Sequence, residues 1–128
     1  MGQTDMRTPL GRAIGLGSAK FGVGHWRMER LTAIGLLPLT IWLAAALIAH
    51  SGDDYNGFVL WMRLPLTSVL MILLLTTLFY HTALGLRVVI EDYVHTALKL
   101  PLLIAMQFGC LVLAVAGILA SLRIAFGA

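Results

Sequence analysis

The stretch Leu31 to Ala49, LTAIGLLPLTIWLAAALIA, contains no charged residue. An apolar helix needs roughly 20 residues to cross about 30 Å of hydrocarbon, because each residue rises about 1.5 Å. Two further apolar runs follow, at residues 64–90, where the one charged residue is Arg87 near the end, and at residues 100–122. The sequence therefore predicts an all-α integral membrane protein with three transmembrane helices.

The composition agrees with a membrane location. Of the 128 residues, 59% are hydrophobic and 12% are charged, and a soluble domain of this size could not bury so many apolar side chains. One domain spanning residues 1–128 is expected, with membrane lipid as its main solvent. The basic residues lie at the ends of the apolar runs and form no continuous stripe, so a nucleic-acid partner is not predicted.

The distribution of Lys and Arg predicts the orientation in the membrane. Residues 1–30 are basic and lack the apolar core of a secretory signal. The first loop, residues 50–63, carries a single Arg, whereas the second is flanked by Arg87 and Lys99. Short basic loops stay in the cytoplasm, so we expect a cytoplasmic N-terminus and an external C-terminus. Residues 50–57 are rich in Gly, Asp and Asn and are expected to be a connector only.

His81 is the polar residue that the second span should most strongly reject, since an ionisable group inside the bilayer costs a few kcal/mol. Thr77 and Gly85 lie one turn before and after it on the same helix face. A glycine there leaves room for a flat ring, and neutral imidazole is an axial ligand of haem iron. Alternatively, His81 only hydrogen-bonds to a neighbouring helix. One histidine supplies half of a haem's axial ligation, so haem binding would require a partner subunit.

A second polar group follows at residues 85–95, just beyond the second span. Tyr93 has the amphipathic ring of an interfacial anchor. In a functional interpretation, its phenol donates a hydrogen bond to a membrane-dissolved quinone, while Asp92 and His95 relay protons. Both interpretations remain open from spacing alone.

The third polar group, residues 25–30, precedes the first span and reads HWRMER. Trp26 suits the membrane interface, and Arg27 and Arg30 suit topogenic or snorkelling charges. Alternatively, these guanidinium groups bind anions such as haem propionates or phospholipid headgroups.

Taken in order, these groups resemble the hydrophobic membrane anchor of succinate dehydrogenase, respiratory complex II. The likeness is carried by two sets of residues: His25-Trp26, Arg30 to Ile34 and Pro38-Leu39 in the first, and His81, Gly85, Arg87 and Val89 to His95 in the second.

The resemblance implies that His81 is one axial ligand of the haem b iron, with the other ligand supplied by a partner, the cytochrome b anchor subunit. It also implies that Tyr93 and Asp92 belong to the ubiquinone site. His25 and Arg30 are then expected near the haem propionates or at the surface where soluble subunits dock. The chain itself would contribute no residue to succinate oxidation.

The resemblance further implies a succinate dehydrogenase subunit that is inactive alone and serves the respiratory chain and tricarboxylic acid cycle. A flavoprotein subunit would hold FAD and an iron–sulfur subunit the clusters. The bacterial inner membrane is expected in preference to the mitochondrial one. Two alternatives remain: the anchor of a fumarate reductase, and a non-catalytic membrane scaffold.

Overall fold

The described part of the chain, in a computed structural model, comprises residues 8–11 and 20–127, and it contains no strand. Three of its helices are long and apolar enough to cross a membrane, so the predicted all-α fold with three transmembrane helices is confirmed. The helices described are α1 (Lys20–Ala49), α2 (Tyr55–Arg63), α3 (Pro65–Tyr93) and α4 (Lys99–Phe126).

Helix α1 begins well before the apolar run that predicts it, at Lys20 rather than at Leu31. The polar group at residues 25–30 is therefore helical. In a helix, side chains three, four or seven positions apart share a face. The faces on which His25 and Arg30 lie are consequently set by the rotation of α1.

Residues 50–57 were expected to be only a connector. Residues 50–54 do connect α1 to the next helix, but residues 55–57 already form the first turn of α2. Asp54 caps the short helix α2 by accepting a hydrogen bond from the Gly57 amide at 2.8 Å. Trp61 and Met62 of this helix are buried, and the Trp61 ring lies 4.8 Å from the His50 ring, centroid to centroid. Because α2 is amphipathic, it covers one end of the spans with its apolar face.

Helix α3 lies between the other two spans. Both α1 and α4 pack against it, whereas within the described residues α1 and α4 do not contact each other. Leu36, Leu39 and Leu74 form the buried cluster between α1 and α3. The three spans therefore form a layer with two open faces, and most of their apolar side chains are left for lipid or for other subunits.

Helices α3 and α4 approach each other closely at Gly117. A Cβ atom at this position would lie 3.1 Å from a methyl carbon of Leu75. One turn later, the buried Ser121 hydroxyl donates a hydrogen bond to the Gly117 carbonyl at 2.9 Å. Small residues at such contacts let helix backbones come together in membranes.

The end of the layer where α1 and α4 begin and α3 finishes is called here the basic end, after Arg27, Arg30, Arg87 and Lys99. The Arg87 guanidinium donates to Glu91 at 2.8 Å, and the Lys99 ammonium donates to the Glu91 carbonyl at 3.1 Å. The second of these bonds connects the last turn of α3 to the first turn of α4.

Candidate functional site

His81 lies in α3 at its interface with α1 and is half-buried. Its Nδ1 atom is 2.9 Å from the Thr32 hydroxyl oxygen of α1. The same oxygen is 2.7 Å from the Met28 carbonyl and 3.0 Å from the Glu29 carbonyl. A polar contact therefore crosses between the two helices at the level of His81.

The space beside His81 is open. A Cβ atom built on Gly85 would meet nothing within 4 Å, as expected from a glycine one turn from the imidazole. A separate apolar groove of about 680 Å³ begins at Thr32 and Thr77 and runs along α1 and α3 toward α2, and His81 is not part of its lining. A flat ligand can therefore approach His81 from the side of Gly85.

The donor set around His81 fits a haem better than a bare metal ion. Across residues 8–11 and 20–127, no three His, Cys, Asp or Glu side chains are grouped so that they could hold a metal ion. A haem needs only one or two ligands from protein, since its ring supplies the others. Among the described side chains, the His81 Nε2 atom has no hydrogen-bond partner, which leaves it available to an iron.

His25 lies on the face of α1 that carries Thr32, since seven residues make nearly two helical turns. Its Nε2 atom is buried and finds no hydrogen-bond partner in the described structure. Buried polar groups are nearly always hydrogen-bonded, so this nitrogen lacks a partner that another molecule could supply.

Arg30 is exposed and lies on a different face of α1. Its guanidinium carbon is 5.8 Å from the centre of the Trp26 ring, in the range of a cation–π contact. Two positions along a helix correspond to about 200° of rotation, so Arg30 is nearly opposite to Thr32. The structure therefore does not bring Arg30 together with His81 or His25.

Tyr93 and Asp92 are exposed at the basic end, and 81% of the Tyr93 surface is accessible. Tyr93 is about 18 Å from His81 along α3, because each residue rises about 1.5 Å. The paired Arg87 and Glu91 precede Tyr93 on the same helix by six and two positions. The predicted quinone residues thus form a region separate from His81, and most of any pocket around Tyr93 would have to come from another chain.

Residues 4–121 match the family of succinate dehydrogenase/fumarate reductase transmembrane subunits. The chain belongs to this family. It is 35% identical to the succinate dehydrogenase hydrophobic membrane anchor subunit of Rickettsia conorii over 91% of this chain and 94% of the relative. The corresponding subunit of Rickettsia bellii is 34% identical over the same shares. No solved structure matches the chain significantly.

Membership of the succinate dehydrogenase/fumarate reductase family confirms the resemblance to the membrane anchor that the sequence predicted. As an anchor of this family, the chain belongs to a multi-subunit oxidoreductase complex. The bacterial origin of its relatives is consistent with a bacterial membrane.

Sequence reasoning did not identify Thr32 as a site residue. It lies inside the quoted stretch Arg30 to Ile34, but no role was expected for it. One signal was present: Thr32 is seven positions after His25 and therefore on the same helix face. The sequence of α1 alone does not show which residues of other helices contact that face.

Proposed function

We propose that this chain is the membrane anchor subunit of a succinate dehydrogenase. In this proposal, His81 supplies one axial ligand to the iron of haem b, and Tyr93 with Asp92 forms part of the ubiquinone-reduction site. A partner anchor subunit provides the second axial ligand. The iron–sulfur and flavoprotein subunits dock at the basic end, on the cytoplasmic face of the bacterial inner membrane. The names of the Rickettsia relatives favour succinate dehydrogenase over fumarate reductase.

The environment of His81 is the observation that carries this proposal. Its Nδ1 atom contacts Thr32, and the space beside Gly85 is open. An imidazole that served only to join α1 and α3 would not require open space on the neighbouring turn. Metal-ligating histidines characteristically have one ring nitrogen held by the protein and the other directed to the metal.

When bound, haem b supplies a one-electron redox centre within the bilayer. The chain's own part is to orient the His81 ring, with Nε2 free to ligate. His25, whose buried Nε2 lacks a partner in the described structure, is placed near the basic end to donate to a carboxylate such as a propionate or a docked subunit.

At the basic end, the Tyr93 phenol donates a hydrogen bond to a quinone carbonyl oxygen. Reduction of a quinone to a quinol takes two electrons, delivered from the iron–sulfur subunit, and two protons from the cytoplasm. Asp92 and His95 are both exposed, so they can exchange protons with water and pass them toward the bound quinone. The distance between Tyr93 and His81 keeps this proton chemistry away from the haem ligand.

Replacing the ligand tests the haem assignment. The His81→Ala complex is expected to lose the b-type bands from its reduced-minus-oxidised visible spectrum, because no other described histidine lies at this depth. His50→Ala is the matched control, since His50 lies at the opposite end of the layer beside Trp61, and its spectrum should match the wild type. Unchanged bands in His81→Ala would favour a scaffold without haem ligation.

Replacing the phenol tests the quinone assignment. Tyr93→Phe is expected to lower succinate-to-ubiquinone activity roughly tenfold, the scale of one lost hydrogen bond, while succinate oxidation by a soluble acceptor is retained. Tyr55→Phe is the control, because Tyr55 is equally exposed (80%) but lies at the α2 end. If Tyr93→Phe and Tyr55→Phe were equally active, Tyr93 would serve only as an interfacial anchor. A complex that turns over fumarate with a low-potential quinol faster than succinate would be a fumarate reductase.

A further inference from the structure

We infer that Thr32 is a positioning residue for the haem ligand. Its hydroxyl oxygen accepts a hydrogen bond from the Nδ1–H of His81, which fixes the tautomer that presents an unprotonated Nε2 to the iron. This inference rests on the proposed role of His81 and assigns to α1 the task of orienting a ligand carried by α3.

The direction of the hydrogen bond follows from the atoms around Thr32. A hydroxyl has one hydrogen to donate and can accept through its lone pairs. Three acceptor-capable atoms lie near it: the Met28 carbonyl at 2.7 Å, the Glu29 carbonyl at 3.0 Å and His81 Nδ1 at 2.9 Å. The two carbonyls can only accept, so a hydroxyl hydrogen directed to them leaves a lone pair facing His81. Nδ1 must then be the donor.

Thr40 shows that the hydroxyl hydrogen is directed to the backbone whether or not an imidazole is present. Its hydroxyl oxygen is 2.7 Å from the Leu36 carbonyl and 3.0 Å from the Leu37 carbonyl. These are the distances found for Thr32, yet Thr40 is exposed and contacts no described histidine. Threonine hydroxyls in helices can donate to a carbonyl of the preceding turn. The hydroxyl hydrogen of Thr32 is therefore already bonded to the backbone, and its oxygen can only accept a hydrogen bond from His81.

The surroundings of Thr32 make it a rigid acceptor. Only 7% of its surface is exposed, so water cannot easily replace it as the partner of Nδ1. Hydrogen-bond partners of a ligating imidazole fix the ring orientation and raise the electron donation of the ligand, and their loss typically lowers metal affinity about 10–100-fold.

The test compares Thr32→Val, Thr32→Ser and Thr40→Val in the intact complex. The haem-to-flavin ratio, the electron paramagnetic resonance signal of the oxidised haem and its midpoint potential are measured for each. Thr32→Val keeps the shape of the side chain but removes the acceptor. We expect about 10–100-fold weaker haem retention, altered resonance positions and a more positive potential, because a less donating ligand stabilises the ferric state less. Thr32→Ser should restore all three, and Thr40→Val should match the wild type.

The possible outcomes separate this inference from the proposed function. If the wild type has b-type bands that depend on His81 but Thr32→Val leaves retention, signal and potential unchanged, the role of Thr32 is overturned alone. Equal changes in Thr40→Val, or no restoration by Thr32→Ser, would assign the effect to helix packing and also overturn it. If Thr32→Val prevents assembly, Thr32→Ala takes its place with the same expectations. A wild-type complex without b-type bands overturns both proposals.

Discussion

The interface between α1 and α3 has two halves that differ in chemistry. The leucine half, nearer α2, consists of Leu36, Leu39 and Leu74, all of them at most 9% exposed. The histidine half, nearer the basic end, consists of His25, Thr32 and His81. It has a buried nitrogen without a described partner and open space beside Gly85. The leucine side chains of the first half are buried within this chain, whereas the second half keeps polar groups available for another molecule.

The largest expected effect on stability belongs to the leucine half. Leu74→Ala should lower the free energy of unfolding of the full-length chain in mixed micelles by about 2 kcal/mol, the lower end of the range for buried leucines. The lower end applies because lipid or detergent replaces water around the exposed spans. Leu66→Ala, which removes a 70% exposed side chain from the same helix, should cost much less. If Leu74→Ala abolished the haem bands, the two halves would not be separable.

A smaller effect is expected where α3 meets α4. Gly117→Val should destabilise the chain by about 1–2 kcal/mol relative to Gly109→Val, because only the first places its side chain against Leu75. The same reversible unfolding assay measures both. Equal effects of the two valines would show that α4 packs less tightly than the 3.1 Å approach indicates.

The histidine half should contribute less still to the stability of the haem-free chain. A double-mutant cycle with Thr32→Val and His81→Leu is expected to give a coupling energy of about 0.6 kcal/mol, the average for hydrogen bonds between membrane helices. A value above about 2 kcal/mol would contradict the view that this contact serves ligand orientation more than folding.

The smallest effect is expected at the basic end. The pair Arg87–Glu91 is separated by 2.8 Å, and its side chains are 49% and 40% exposed. Exposed pairs four residues apart on a helix contribute about 0.3–0.5 kcal/mol. Arg87→Gln should therefore cost that amount at low salt and nothing measurable at about 1 M salt, where the screening length is about 3 Å. A cost that persisted at high salt would identify a further contact of Arg87.

The three spans were predictable because each is an apolar run close to the length that a bilayer demands. Helix α2 was not, since a short amphipathic helix lacks such a run and its signal is an Asp54 cap before a few apolar positions. For a related reason, the apolar run does not predict that α1 begins at Lys20. Residues 20–30 are polar enough to lie outside the hydrocarbon, yet they are compatible with a helix.

The site was only partly predictable. His81 could be chosen from one physical argument, the cost of an imidazole in lipid. Its contact with Thr32 joins residues 49 positions apart and depends on how α1 is rotated against α3, which neither apolar run specifies. The same rotation places Arg30 away from His81, and Arg30 was expected either near the haem propionates or at the docking surface. The ligand and quinone roles of His81, Tyr93 and Asp92 remain predictions.

The central position of α3 has a consequence for the order of events during synthesis. All contacts between α1 and α3 are made by residues up to Tyr93, and none of them waits for α4, because α1 and α4 do not meet within the described residues. Both halves of that interface can therefore be complete while the third span is still in the ribosome or the translocon. Helix α4 is then added to the outer side of an assembled pair, without disturbing the imidazole that the pair already presents.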